Sequence, residues 1–267
     1  MSNNSSNNSS NNSNNKVIVR IHFMRGDEVK FISHLDIMRT FGRAMRRTGI
    51  PVAYSQGFNP QPVIVFGLPL AVGVTSLAEY ADIELTEAIN PTALKNALNK
   101  ELPAGLRILD AAFINDRKNI MSLVYMASYE IFVYVEKNEI INKGEVIIDK
   151  MNENKDEIIY KIKKLLRKDM ITVVKEGKKG TKEINIKPLI VDLEIKFMDD
   201  LNVIKEKNDN RKIYKITAML RAGGEANLKP DLLISAINKH TDLSLKIIRI
   251  HRTGLFINKD GVLEKPM

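Results

Sequence analysis

The chain contains no cysteine. That removes disulfides, thiolate metal sites, iron–sulfur clusters and cysteine nucleophiles together. No apolar run approaches the ~20 residues needed to cross a bilayer as a helix. No apolar signal-peptide core follows Met1, so a cytoplasmic, membrane-free protein is expected. A Walker loop, GxGxxG and GxSxG are all missing, which leaves nucleotide-cradling loops and serine nucleophile elbows without a carrier. Histidines are few and scattered, at His22, His34, His240 and His251. None has metal-ligand spacing, so neither metal nor cofactor is expected.

What is present is a chain of 267 residues with 44% hydrophobic content and a formal charge of +9. Such a length supplies one large or two small cores. The basic surplus favours polyanionic partners, although many soluble proteins carry one without binding nucleic acid. Residues 1–15 are almost pure Asn and Ser. They have nothing apolar to bury and are expected to be a disordered tail.

From Lys16 the pattern alternates between strand and helix. Val17–Phe23 is β-branched and extended. A helix from Ser33 to Thr48 opens on a capping box with Asp36 in place of Glu and stops at Gly49. Val52–Ser55 and Val63–Phe66 look extended, Glu79–Leu85 alternates, Asn90-Pro91 opens a second helix to Leu102, and Leu106–Ile114 is again a strand. The order β-α-β-β-α-β is ferredoxin-like. It recurs with strands at 129–135, 191–197, 213–220 and 245–250 and helices at 154–168 and 230–239. A hairpin, 171–174 with 183–186, is inserted. The expected fold is therefore α+β, two ferredoxin-like (βαββαβ) halves in tandem, at 16–118 and 119–267, the second with an inserted β-hairpin.

The stretch Phe31–Pro62 carries the densest chemistry. On its helix, Leu35, Met38, Phe41, Gly42 and Met45 share one face, and Arg39, Arg43, Arg46 and Arg47 the next. Four guanidiniums with one acid, Asp36, between them suit phosphate oxygens; a solvated surface is the competing reading. In the loop that follows, Pro60 and Pro62 stiffen the backbone and Gly57 loosens it locally. Tyr54 and Phe58 are placed to stack on a base, and Gln56, Asn59 and Gln61 to read its edge. Alternatively, the loop is a rigid connection with Phe58 tucked into the core. His34, at the helix start, is a candidate general base on a ribose hydroxyl or an ordinary packing residue. A second basic cluster ends in the hairpin turn at Lys178 and Lys179, where lysines suit backbone tracking or simple solubility.

These motifs resemble a bacterial family, the radical-SAM-linked or radical-SAM-associated proteins, whose shared domain of unknown function is numbered 2344. The resemblance rests on Phe31-Ile32-Ser33-His34-Leu35-Asp36, Ala53–Pro60, Leu70-Ala71-Val72-Gly73-Val74, Lys178-Lys179-Gly180-Thr181, Leu220-Arg221-Ala222-Gly223-Gly224 and His251-Arg252-Thr253-Gly254-Leu255. It covers residues 17 to about 257. Gln61 departs from the pattern, which usually has His there. The resemblance implies association with a radical S-adenosylmethionine enzyme, which this chain, lacking the cluster cysteines, cannot itself be. The expected function is a non-catalytic accessory partner of that enzyme, binding RNA or presenting substrate. The alternatives are a metal-independent endoribonuclease using His34, and a protein–protein module without RNA.

Overall fold

The computed structural model describes residues 17–115, 118–136, 139–142, 145–148, 155–177, 180–198 and 211–267. The first part runs β1 (Val17–Arg25), α1 (His34–Thr48), β2 (Ile64–Phe66), β3 (Thr75–Leu85), α2 (Pro91–Glu101) and β4 (Leu106–Ile114). A short α3 (Ile120–Leu123) leads into β5 (Val124–Val135), a small hairpin β6 (Glu139–Asn142) and β7 (Glu145–Ile148), and α4 (Lys155–Leu166). The hairpin β8 (Thr172–Gly177) and β9 (Gly180–Asn185) precedes β10 (Ile190–Met198), β11 (Ile213–Arg221), α5 (Pro230–Thr241), β12 (Leu245–Lys259) and β13 (Val262–Glu264).

The helices end where local chemistry says they should. Ser33 is the N-cap of α1; its Oγ accepts from the Asp36 amide at 3.2 Å and donates to the Asp36 carboxylate at 2.6 Å. Gly49 closes the helix in the left-handed region, at φ 66°. Asn90 caps α2 through Thr92 and Ala93, with Pro91 in the first turn.

Nine strands form one mostly antiparallel sheet in the order β10-β11-β5-β12-β3-β1-β4, with β2 added on β3 and β13 on β12. The protein is thus a mixed α+β fold built on this large sheet. The parallel contact lies at its centre, where His251 and Arg252 of β12 face Thr75 and Ser76 of β3. Two cores flank the sheet. One joins α1 and α2 to β1, β3 and β4 around Phe23, Phe41, Met45, Ile83 and Leu98. The other gathers α4, α5 and the later strands around Ile131, Ile162, Ile216 and Ile237. β3 serves both: Ala81 and Ile83 point into the first, Ala78 and Tyr80 into the second, as the two-residue strand period requires. Each fully buried side chain of this size contributes about 1.5–3 kcal/mol.

Several expectations need correction. The buried stripe of α1 is Ile37, Phe41, Gly42, Ala44 and Met45, so three of the five expected residues hold; Leu35 is 54% exposed and Met38 only half-buried. Strand β3 starts at Thr75 rather than Glu79, because pairing with β1 and β12 extends it through small polar residues with no strand signal of their own. The strand expected at 245–250 runs on as β12 through Thr253-Gly254 to Lys259, by means of register shifts against β5. α3, β6, β7 and β13 lacked any counterpart. Segment 52–55 forms isolated bridges, Val52 to Leu85 and Tyr54 to Pro62, rather than a strand. The expected tail, residues 1–15, lies outside the described residues.

Candidate nucleic-acid interface

On α1, Arg39, Arg43, Arg46 and Arg47 are all exposed, one turn apart along the face that leaves the core. They are not equivalent. Arg39 pairs with Asp36 at 3.0 Å, and hydrogen bonds from Ser33 and then Arg39 hold that carboxyl below its usual range. Arg47 reaches across to α2, bonding the Glu101 carboxylate at 2.6 Å and its carbonyl at 2.7 Å. Arg47 therefore ties two helices. Arg43 donates to Thr40 Oγ1 at 3.3 Å. Among the described residues neither Arg43 nor Arg46 has a carboxylate within ion-pair distance.

The loop after α1 is a narrow hairpin. The Val63 amide donates to the Ala53 carbonyl and the Ser55 amide to the Gln61 carbonyl, both at 2.8 Å. Gln61 closes the tip: its amide donates to Ser55 Oγ at 3.0 Å and its side chain to Asn59 Oδ1 at 3.0 Å. Gly57 occupies φ 135°, a conformation that side chains resist. The hairpin base is seated on α1, where Pro62 is buried and lies 3.9 Å from the position a Cβ would take on Gly42. The hairpin base thus meets α1 one residue from Arg43. At that tip Gln56, Phe58 and Asn59 are exposed, and so is Tyr54 nearer the base. Phe58 has a relative exposure of 112%, so the alternative that it packs in the core is overturned. Among the described residues no apolar neighbour covers the Phe58 ring.

His34 is half-buried, its ring edge-on to Phe66 at 5.3 Å. Burial first, then the charge of Arg25, lowers its pKa. The other histidines are also held. His22 stacks on Tyr80 at 4.7 Å, His251 Nδ1 meets Thr75 Oγ1 at 2.7 Å, and His240 Nε2 meets the Thr172 carbonyl at 2.7 Å. Among the described residues no group of three or more His, Cys, Asp or Glu side chains is placed to hold a metal. Lys178 and Lys179 lie outside the described residues.

Sequence reading missed a buried polar network at the sheet junction. Arg252 is 1% exposed, and its fork grips Glu79 at 2.5–2.8 Å while also donating to the Leu68 carbonyl at 2.8 Å. Arg25, also buried, donates to the carbonyls of Val29, Lys30, Ile32 and Leu70. Arg20 pairs with Asp82 at 2.6 Å and holds the Pro266 carbonyl at 2.8 Å, folding the last residues back onto β1. Beside this network Arg252 and Tyr129 line a cleft with Leu68, Leu70, Lys229 and Asp231. The segments Phe31–Asp36, Leu70–Val74 and His251–Leu255, far apart in sequence, meet here. The available signal was an arginine and a glutamate inside otherwise apolar strands, where a charge persists only with a partner.

Comparison with known proteins returns little beyond family. No curated protein matches the chain. Among solved structures, that described as "Crystal Structure of a Cbf5-Nop10-Gar1 Complex" is similar over 89% of this chain and 48% of its own, at 10% identity and TM-score 0.41. The chain thus spans about half the length of that neighbour. An unknown protein from Galdieria sulphuraria is similar over 87% of this chain and 96% of its own, at 14% identity and TM-score 0.22. The profile described as "Uncharacterized protein conserved in bacteria (DUF2344)" matches residues 19–230, most of the chain, and this protein belongs to that family.

Proposed function

We propose that this protein is a non-catalytic, RNA-binding accessory partner of a radical SAM enzyme, holding an RNA for that enzyme's chemistry. The observation that carries the RNA part is Phe58, fully exposed on a hydrogen-bonded hairpin seated against the basic helix. An aromatic ring left in water forgoes about 1.5–3 kcal/mol of burial, so folding gains nothing from it. Stacked on an unpaired base it contributes about 1–3 kcal/mol. Arg43 and Arg46, without carboxylate partners among the described residues, are the neighbouring cations for phosphates. Arg39 and Arg47 play a smaller part, since each already holds an acid.

The partner enzyme enters this reading from the motif resemblance. An apolar surface supports a protein partner of some kind: Phe31 is 72% exposed beside Gly73, in the same loop as exposed Val72. In the same reading the fold is two ferredoxin-like halves meeting near residue 118. The sheet orders β4-β1-β3-β2 and β12-β5-β11-β10 follow one pattern, with β8–β9 as the insertion. The protein would act in the cytoplasm.

Fluorescence anisotropy with a labelled single-stranded RNA across a salt series tests the RNA part. Arg43→Glu with Arg46→Glu is expected to flatten the slope of log affinity against log salt by roughly 0.7–0.9 per lost phosphate contact. Phe58→Ala is expected to weaken binding by about 1–3 kcal/mol. RNA left intact in chelator agrees with a binder. Cleavage that vanishes in His34→Ala would replace this reading with a nuclease, and no binding by the wild type at low salt would end it. Anaerobic native co-purification tests the enzyme partner.

A further inference from the structure

The cleft beside Arg252 is separate from the α1–hairpin surface and shares no residue with it. It has a cavity volume of about 50 Å³ and opens to solvent. Leu68, Leu70 and Ala71 line one part, Pro230 and Lys229 at the start of α5 another, with Tyr129 and Arg252 among the lining residues. The loop carrying the α5 side has little freedom. Gly223 sits at φ 110°, and a Cβ there would lie 2.1 Å from the Val124 carbonyl oxygen. Lys229 is exposed at the mouth, whereas Arg252 and Tyr129 are buried.

The charges do not cancel. Glu79 is gripped by Arg252, and Arg25 is influenced by both of them. Arg252 alone bonds that carboxylate, and the hydrogen bonds of Arg25 go to main-chain carbonyls, among them Leu70 of the cleft wall. At the mouth Lys229 and Asp231 offset each other. One unit of positive charge is left over; it sits on Arg25, behind the wall residue Leu70, in a low-dielectric setting where attraction to an anion is strong.

We propose that this cleft binds the anionic group of a small molecule, a carboxylate or a phosphate monoester, whose apolar part lies on Leu68, Leu70 and Pro230. Arg252 and Lys229 supply the positive charge, the Tyr129 hydroxyl a hydrogen bond, and the wall residues the shape. Clefts of this kind, mostly apolar with a few convergent polar groups, are the usual form of small-molecule sites. Burial raises the pKa of the Tyr129 hydroxyl, which is a donor at neutral pH.

Sodium acetate and inorganic phosphate, each titrated into the full chain at constant ionic strength with chloride as the counter-anion, test this by amide chemical shifts. Saturable shifts confined to residues 68–71 and 227–231 are expected with one anion or both, and which of them binds fixes the class. Lys229→Ala, an exposed position, is expected to fold normally and weaken that binding by roughly five- to tenfold, the worth of one charge-assisted contact. Arg252→Lys keeps the charge but loses the fork, and is expected to weaken it too while strand β1 amides stay in place. No saturable shift, an affinity unchanged in Lys229→Ala, or shifts that appear at 43–58 instead would overturn the proposal. The RNA reading is untouched by any of these results, because none of its residues lines this cleft.

Discussion

Glu79 and Arg252 form the most sharply testable pair in the molecule. Arg252 is 1% exposed and its side chain meets the Glu79 carboxylate at 2.5–2.8 Å. Removing one partner of such a buried pair leaves an uncompensated charge and costs about 3–5 kcal/mol. Glu79→Gln does so with little change of volume, and Arg25, influenced by the same carboxylate, adds to the penalty. Arg252→Met leaves Glu79 buried beside Arg25 and orphans the Leu68 carbonyl, for a similar loss. Were the two effects independent, the double variant would lose about 6–10 kcal/mol, comparable to the whole stability of a typical domain. Glu79→Gln with Arg252→Met, however, removes both charges together and is expected to lose only about 3–5 kcal/mol. Urea unfolding at low temperature, with all three variants compared at their midpoints and slopes, measures the coupling. A double variant whose loss equals the sum of the singles would refute the argument, since the pair would then not be acting as a pair.

Four other outcomes follow from particular atoms. Phe58→Ala is expected to leave the melting temperature within about a degree, because a fully exposed ring contributes nothing to the core; a loss of the roughly 3–5 kcal/mol typical of buried phenylalanine would show it packed. Gly223→Ala, at φ 110° with its Cβ 2.1 Å from a backbone oxygen, is expected to destabilise by about 2 kcal/mol or more. Gly42→Ala, whose Cβ would meet only Pro62 at 3.9 Å, is expected to gain up to about 1 kcal/mol in the helix interior; thermal melts that rank these two the other way would contradict both contacts. His34 and His251 both have lowered pKa values, each through burial first and then through a neighbouring arginine, Arg25 or Arg249. Protons therefore favour the unfolded chain: the stability from these rings is fully present above about pH 6.5 and is lost as pH falls through their folded values. The double variant His34→Gln with His251→Gln is expected to flatten that decline, and an unaltered pH profile between about 7 and 5 would argue against it.

The parts of the fold written in short-range chemistry were legible in the sequence. Ser33, Asp36 and Gly49 bound α1, Asn90-Pro91 opens α2, and β-branched runs mark most of the strands, because caps and propensity act within a few residues. What the sequence concealed depends on what lies opposite. Two stripes of α1 share Phe41, Gly42 and Met45, and only the sheet beneath decides that Ile37 and Ala44 complete the buried one while Leu35 faces water. Arg20, Glu79, Asp82 and Arg252 stand as charges within largely apolar strands, which points to partners without naming them. Pairing across 62 residues for one couple and 173 for the other buries them, and no local pattern encodes that. Phe58 was ambiguous for the same reason: a phenylalanine in a proline-rich loop is core or contact according to whether an apolar wall stands nearby, and here none does.

The motif residues then divide by position rather than by residue type. The Phe31–Asp36 segment supplies the cap of α1 and the Ile32 carbonyl held by Arg25. The Leu70–Val74 segment supplies a second carbonyl to the same guanidinium, and Arg252 grips Glu79 from the His251–Leu255 segment. Their polar atoms are spent on fixing the junction between β3 and β12, so much of their chemistry is structural, with the cleft over Arg252 as its exposed end. The Tyr54–Pro62 hairpin is the opposite case. Its backbone is satisfied within itself and its base is anchored on α1, yet its tip side chains make few contacts with the rest of the chain. A rigid loop that ends in an uncovered aromatic has no role in holding this fold together, which is why the search for a partner belongs there and why Phe58, rather than His34, is the residue to change first.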